Sequence, residues 1–156
     1  MKHKNSFIIL LLFNFYIIPA FSDLPQNATK IRELKISNSD SKNKFYLSNL
    51  RKFKNLRKLT IVCLETLEKL PESIGQLHHL EELNMAQGNG CTMNAKLPLS
   101  LGRLSKLKIL DLFGAQDNRI IGKASGPRRE FPSSLVNLKK LQILNLGRNG
   151  FSEVPE

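Results

Sequence analysis

Tryptophan is absent, and only two cysteines occur, Cys63 and Cys91. Neither lies near residues 20–23, which argues against a lipid-anchored precursor. No glycine-rich phosphate loop follows a strand-like run, and no serine or cysteine stands where it would be activated as a nucleophile. An enzyme is therefore not expected in this stretch of chain, and no cofactor either. His78, His79, Glu81 and Glu82 form the one group with metal-ligand or acid–base character. They straddle a turn into a strand, so neighbours alternate faces and no third ligand type stands nearby; no metal is expected. Acidic residues are scarce, 13 against 24 lysines and arginines, for a formal charge of +11. A long membrane-spanning run is lacking as well. Phe7 to Ile18 is apolar but includes Asn14 and falls short of the roughly 20 residues that a helical span needs.

What is present at the start has the layout of a secretory signal over residues 1–22. Lys2 and Lys4 supply the positive end, Phe7 to Ile18 the apolar stretch, and Pro19 breaks it before Ala20-Phe21-Ser22. Cleavage would release a secreted or extracellular protein with no transmembrane span; an uncleaved segment would instead anchor it to a membrane. Loss of Lys2 and Lys4 lowers the charge to +9, counted from the +11 of the whole chain. Such an excess favours acidic partners. In an oxidising compartment Cys63 and Cys91 are a possible disulfide; as reduced thiols they are two small, half-buried hydrophobes. Residues 23–30 form a polar lead-in containing Asn27-Ala28-Thr29, a possible glycosylation sequon at Asn27. The apolar content of 41% is ample for a core, and the length suits one domain.

Residues 31–156 carry a repeat. Leu56-x-x-Leu59-x-Ile61 recurs as Leu80-x-x-Leu83-x-Met85, Leu107-x-x-Leu110-x-Leu112 and Leu141-x-x-Leu144-x-Leu146, with Ile31-x-x-Leu34-x-Ile36 as a weaker first copy. Apolar residues two apart point to one face of a short strand. Each later start is preceded by an apolar residue three positions back (Phe53, Leu77, Leu104, Leu138) and another six back (Leu50, Ile74, Leu101, Leu135). Leu70-Pro71, Leu97-Pro98 and Phe131-Pro132 open this returning half, a turn followed by a helical or 3₁₀ segment. All length variation falls between strand end and proline, with the largest insertion at residues 116–130, basic and rich in turn formers. Strands and backs must stack while loops at one edge are free. Asn149 stands where the chain leaves the last strand and can satisfy backbone groups there; Ser39, Leu64, Gly88 and Ala115 hold that slot earlier.

These residues resemble the leucine-rich repeat family over most of the chain beyond the signal. The Leu-Pro-x-Ser-Ile-Gly-x-Leu-x-x-Leu-x-x-Leu wording of residues 70–83 is similar to plant Ras-group-related and secreted bacterial and protist repeats. The resemblance implies an α/β repeat: a short solenoid of about five repeats, the last incomplete, with a parallel concave sheet, a helical or 3₁₀ convex side, and protein binding. Cysteine-rich caps, common in extracellular members, are missing.

Within the repeat the third, fifth and seventh positions face outward from the concave sheet. They give a protein-binding face of Glu82, Asn84, Ile109, Asp111, Phe113, Ile143 and Asn145, charged towards the N-terminus and apolar where Ile109, Phe113 and Ile143 meet. The expected function is a secreted, non-catalytic binding module for another protein. Two alternatives stand beside it. One is a substrate-recognition fragment of a larger signalling or ubiquitin-ligase-type protein. The other is adhesion to an anionic polysaccharide or surface through a basic stripe at residues 42–58, which has no acidic member. Leu50 and Phe53 of that stripe occupy apolar returning positions, so nucleic acid is disfavoured and most of its lysines are expected on the convex back.

Overall fold

A spacing of three between apolar residues decides the shape of the returning half. Ile74, Leu77 and Leu80 fall on one side of a helix with three residues per turn, so a 3₁₀ path turns all three inward where an α-helix would splay them. The computed structural model, which describes residues 27–37, 46–62, 67, 69–86, 96–114, 132–147 and 149, follows this path in every described repeat. The N–H groups of Ile74, Leu77 and Leu80 donate to the carbonyls of Pro71, Ile74 and Leu77 at 3.0, 3.0 and 2.9 Å. The 3₁₀ segments are η1 (Ala28–Lys30), η2 (Leu50–Lys52), η3 (Glu72–Gln76), η4 (Leu99–Arg103) and η5 (Ser133–Asn137). Pro71, Pro98 and Pro132 cap the last three with φ of −68°, −79° and −65°. Their rings hold φ at these values, and a missing N–H costs nothing at a helix start.

Five strands alternate with these segments: β1 (Glu33–Ser37), β2 (Lys58–Val62), β3 (Glu82–Asn84), β4 (Ile109–Asp111) and β5 (Ile143–Asn145). They form one sheet in chain order, every pairing parallel. The register is the one that the leucines set: Leu34, Leu59, Leu83, Leu110 and Leu144 lie opposite one another in succession. A slip of one residue would expose them all. The first copy, weakest in wording, makes a strand as long as the second.

The core runs as a single column between sheet and 3₁₀ backs. Leu50, Phe53, Leu56, Leu59, Ile61, Leu70, Ile74, Leu80, Leu83 and Met85 have no exposed surface. Each such side chain contributes on the order of 1.5–3 kcal/mol by leaving water. The backs approach closely because glycine permits it. A Cβ on Gly75 would lie 2.5 Å from the Ser100 carbonyl oxygen, and one on Gly102 would overlap the Ser134 carbonyl.

The last rung departs from the inward pattern expected of its leucines. Leu144 is 40% exposed, and Leu141 and Leu146 are only partly buried. Among the described residues no strand pairs with the outer edge of β5. The expectations for residues 1–22, for Cys63 and Cys91, for the insertion at 116–130 and for Lys42 and Lys44 lie outside the described residues. No helix among the described residues is long and apolar enough to cross a membrane.

Candidate interaction face

Alternation along each strand sends one set of side chains into the core and the other out from the concave sheet. The outward third position reads Glu33, Lys58, Glu82, Ile109 and Ile143, each paired in register with the next. Lys58 Nζ reaches Glu82 Oε1 at 2.7 Å, so charge in the N-terminal half is partly neutralised along the ladder. In the C-terminal half the same column turns apolar. Ile109 is half-buried, and its register partner Ile143 is 54% exposed.

The fifth position carries Asn84, Asp111 and Asn145, and these side chains have a structural task. Their Oδ1 atoms accept hydrogen bonds from the N–H groups of Ala86, Phe113 and Gly147, at 2.9, 3.1 and 3.2 Å. Each closes an Asx turn that ends its strand. The recurrence of Asn or Asp at one offset in three successive repeats was the available signal, and reading the column only as contact residues missed it. The bonds fix these side chains in place.

Phe113 follows directly on the Asp111 turn. Its half-buried ring lies against the next repeat at Gly147, where a Cβ would come within 2.7 Å of Cδ2 and 2.9 Å of Cε2. Glycine at 147 is thus what lets the ring settle across the rung. Behind it the buried Asn149 amide donates to the carbonyls of Leu112 and Leu146, at 2.8 Å each, and of Gly147 at 3.3 Å. The asparagine satisfies backbone groups at the exit from the strand and ties the fourth and fifth repeats together.

At the edge where strands begin, Glu81 is clamped by two cations. Arg57 Nη1 lies 2.7 Å from its Oε1, and Lys108 Nζ lies 2.7 Å from its Oε2. The Lys108 hydrogen bond, followed by the charges of Lys108 and Arg57, holds the Glu81 carboxyl below the usual carboxylate range despite an opposing effect of burial. The 42–58 stripe is therefore not one uniform back surface. Arg51, Lys52 and Lys54 are exposed, Leu50 and Phe53 are core, and Arg57 and Lys58 pair with glutamates of the next rung. His78 and His79 are exposed on a turn, with His79 Nδ1 3.2 Å from Lys106 Nζ. No metal-holding group occurs among the described residues. Asn27 is exposed immediately before η1.

One parallel strand per repeat, one 3₁₀ return per repeat and leucines in shared register define a short leucine-rich repeat solenoid. Sequence similarity supports the same family. The chain is 30% identical over 138 residues to the volume-regulated anion channel subunit LRRC8A of human, and equally so to that of rat and of mouse. The match takes in 86% of this chain and 15% of each relative, so the chain spans about 15% of the length of the curated relatives it matches. Among solved structures, an LRR protein of Leptospira interrogans aligns with a TM-score of 0.43 at 20% identity, covering 87% of this chain and 37% of that one. No family model matches the chain.

Proposed function

We propose that this chain is a non-catalytic module that binds another protein through the C-terminal half of its concave sheet. The observation that carries the reading is the register pairing of Ile109 with the exposed Ile143, with Phe113 against Gly147 further along the same two rungs and the fixed side chains of Asp111 and Asn145 between. An apolar centre with a carboxylate acceptor at Asp111 and an amide donor at Asn145 suits a partner segment that offers one large apolar side chain beside a peptide N–H and C=O. The Leu-Pro-x-Ser-Ile-Gly wording supports placing the repeats with the plant Ras-group-related and secreted microbial types. Residues 1–22 support export of the module, and detection of a mature N-terminus at Asp23 is the check on that part.

The test compares the wild-type chain with an Ile109→Asp, Phe113→Glu double variant in pull-down, with far-UV circular dichroism to confirm that the fold persists. The expected result is a set of proteins captured by the wild type and lost from the variant. Equal capture by both, with the fold intact, refutes the assignment.

A second reading makes the chain the substrate-selecting part of a longer signalling or ligase-type polypeptide. A longer transcript carrying these repeats in frame with a catalytic domain decides between the two.

A further inference from the structure

Stacking in register gathers residues that are far apart in sequence onto one edge. The turns that lead into the strands hold Lys54, Lys106, Lys139 and Lys140, with Lys52 and Arg103 just behind them at the ends of η2 and η4; all six are exposed. Contact between His79 and Lys106 at 3.2 Å shows that equivalent turn positions of neighbouring rungs lie side by side. The acidic residues nearest this edge among the described repeats are Glu33, Glu81 and Glu82; Arg57 and Lys108 outweigh Glu81, and Lys58 pairs with Glu82. On the opposite edge Lys69 is paired with Glu72 at 3.2 Å.

We propose that this strand-entry edge binds an extended anionic glycan lying across the rungs. Successive rungs are about 4.8 Å apart, close to the length of one sugar ring in an extended chain. Lysines stand on the second, fourth and fifth rungs, with His78 and His79 on the third, so a chain laid across the edge meets ammonium groups one or two sugars apart. Among the described residues the edge carries no Phe, Tyr or Trp ring on which bases could stack, only the imidazoles of His78 and His79, which makes single-stranded nucleic acid the weaker fit. Nor do its turns carry an apolar side chain to enter a lipid surface. The glycan site is independent of the concave protein-binding face, since none of its lysines points from that sheet's outward columns.

The experiment measures binding of the full chain to size-defined heparin oligosaccharides by fluorescence anisotropy at several salt concentrations. A thymidine oligonucleotide and phosphatidylserine-containing vesicles serve as competing probes. Glycan binding is expected to weaken linearly in log–log terms as salt rises. It should strengthen with oligosaccharide length until the chain spans the three steps from Lys54 to Lys140, roughly 14 Å at the rung spacing. A Lys106→Glu, Lys140→Glu pair should weaken it at least about tenfold, and Lys106→Gln, Lys140→Gln by less. A Lys69→Glu, Lys96→Glu pair makes the same change in net charge on the other edge and should cost less than about threefold. Retained circular dichroism shows that the variants are folded. Equal loss from both glutamate pairs, tighter binding of the oligonucleotide or the vesicles, or no glycan binding overturns the proposal.

Discussion

Replacing Gly102 with alanine isolates the contact that sets the distance between adjacent 3₁₀ backs. The new Cβ would overlap the Ser134 carbonyl and lie 2.9 Å from the Ser134 Cβ. Gly102 does not adopt a left-handed backbone, so alanine meets no conformational barrier of its own. Two effects then compete. Alanine lowers the entropy of the unfolded chain and adds about 0.4–1 kcal/mol of stability. Overpacking against backbone, which cannot rotate aside as a side chain can, removes about 1–3 kcal/mol. The net expectation is a loss of about 1–2 kcal/mol. With a urea slope of about 1–3 kcal/mol/M, that moves the unfolding midpoint down by roughly 1 M. Because each repeat is held by its neighbours, the loss should appear in the main transition. Val136 occupies the corresponding place on η5 and is 55% exposed, so Val136→Ala should change stability by about 0.5 kcal/mol or less. A midpoint for Gly102→Ala at or above wild type would refute the close stacking of the backs.

Position along the column should govern the cost of losing a leucine. Leu110→Ala removes a side chain with no exposed surface and should cost about 2–5 kcal/mol, whereas Leu144→Ala, at 40% exposure, should cost distinctly less in the same urea titration. Charge on the strand-entry edge should show in the acid limb. Glu81 has a carboxyl held below its ordinary value, chiefly by Lys108. Its contribution is complete above the ordinary carboxylate range and is lost as pH falls through the lowered folded value. Glu81→Gln should therefore lower stability modestly across the neutral region and leave the most acidic region unchanged, so that variant and wild type converge as pH falls and the acid limb flattens.

The repeat starts at 31, 56, 80, 107 and 141 were legible because burial is a one-sided demand. Leucine at a fixed offset must turn inward, and the sheet pairs Glu33, Lys58, Glu82, Ile109 and Ile143 as those offsets require. The apolar spacing of the returns was readable as a helical or 3₁₀ segment, and the structure resolves it as 3₁₀. Leu144 misled because a pattern within one repeat carries no information about whether another packs over it. The Asx bonds of Asn84, Asp111 and Asn145 were hidden because a polar residue on an outward face can serve the backbone as well as a partner. The basic edge was invisible to any linear scan, since Lys54, Lys106 and Lys140 become neighbours only through the stacking. The sequence separated Leu50 and Phe53 of the 42–58 stripe as core, but the pairing of Arg57 and Lys58 with glutamates of the next rung was hidden for the same reason.

The parallel ladder is the claim on which the concave face, the stacked backs and the basic edge all depend. Nitroxide labels on Glu33→Cys and Ile143→Cys, in a chain with Cys63 and Cys91 replaced by alanine, measure it directly by pulsed electron paramagnetic resonance. Four rung steps separate the two sites, so a narrow distribution on the order of 20 Å is expected. A broad distribution, or a narrow one centred well beyond about 30 Å, would contradict a single sheet in this register.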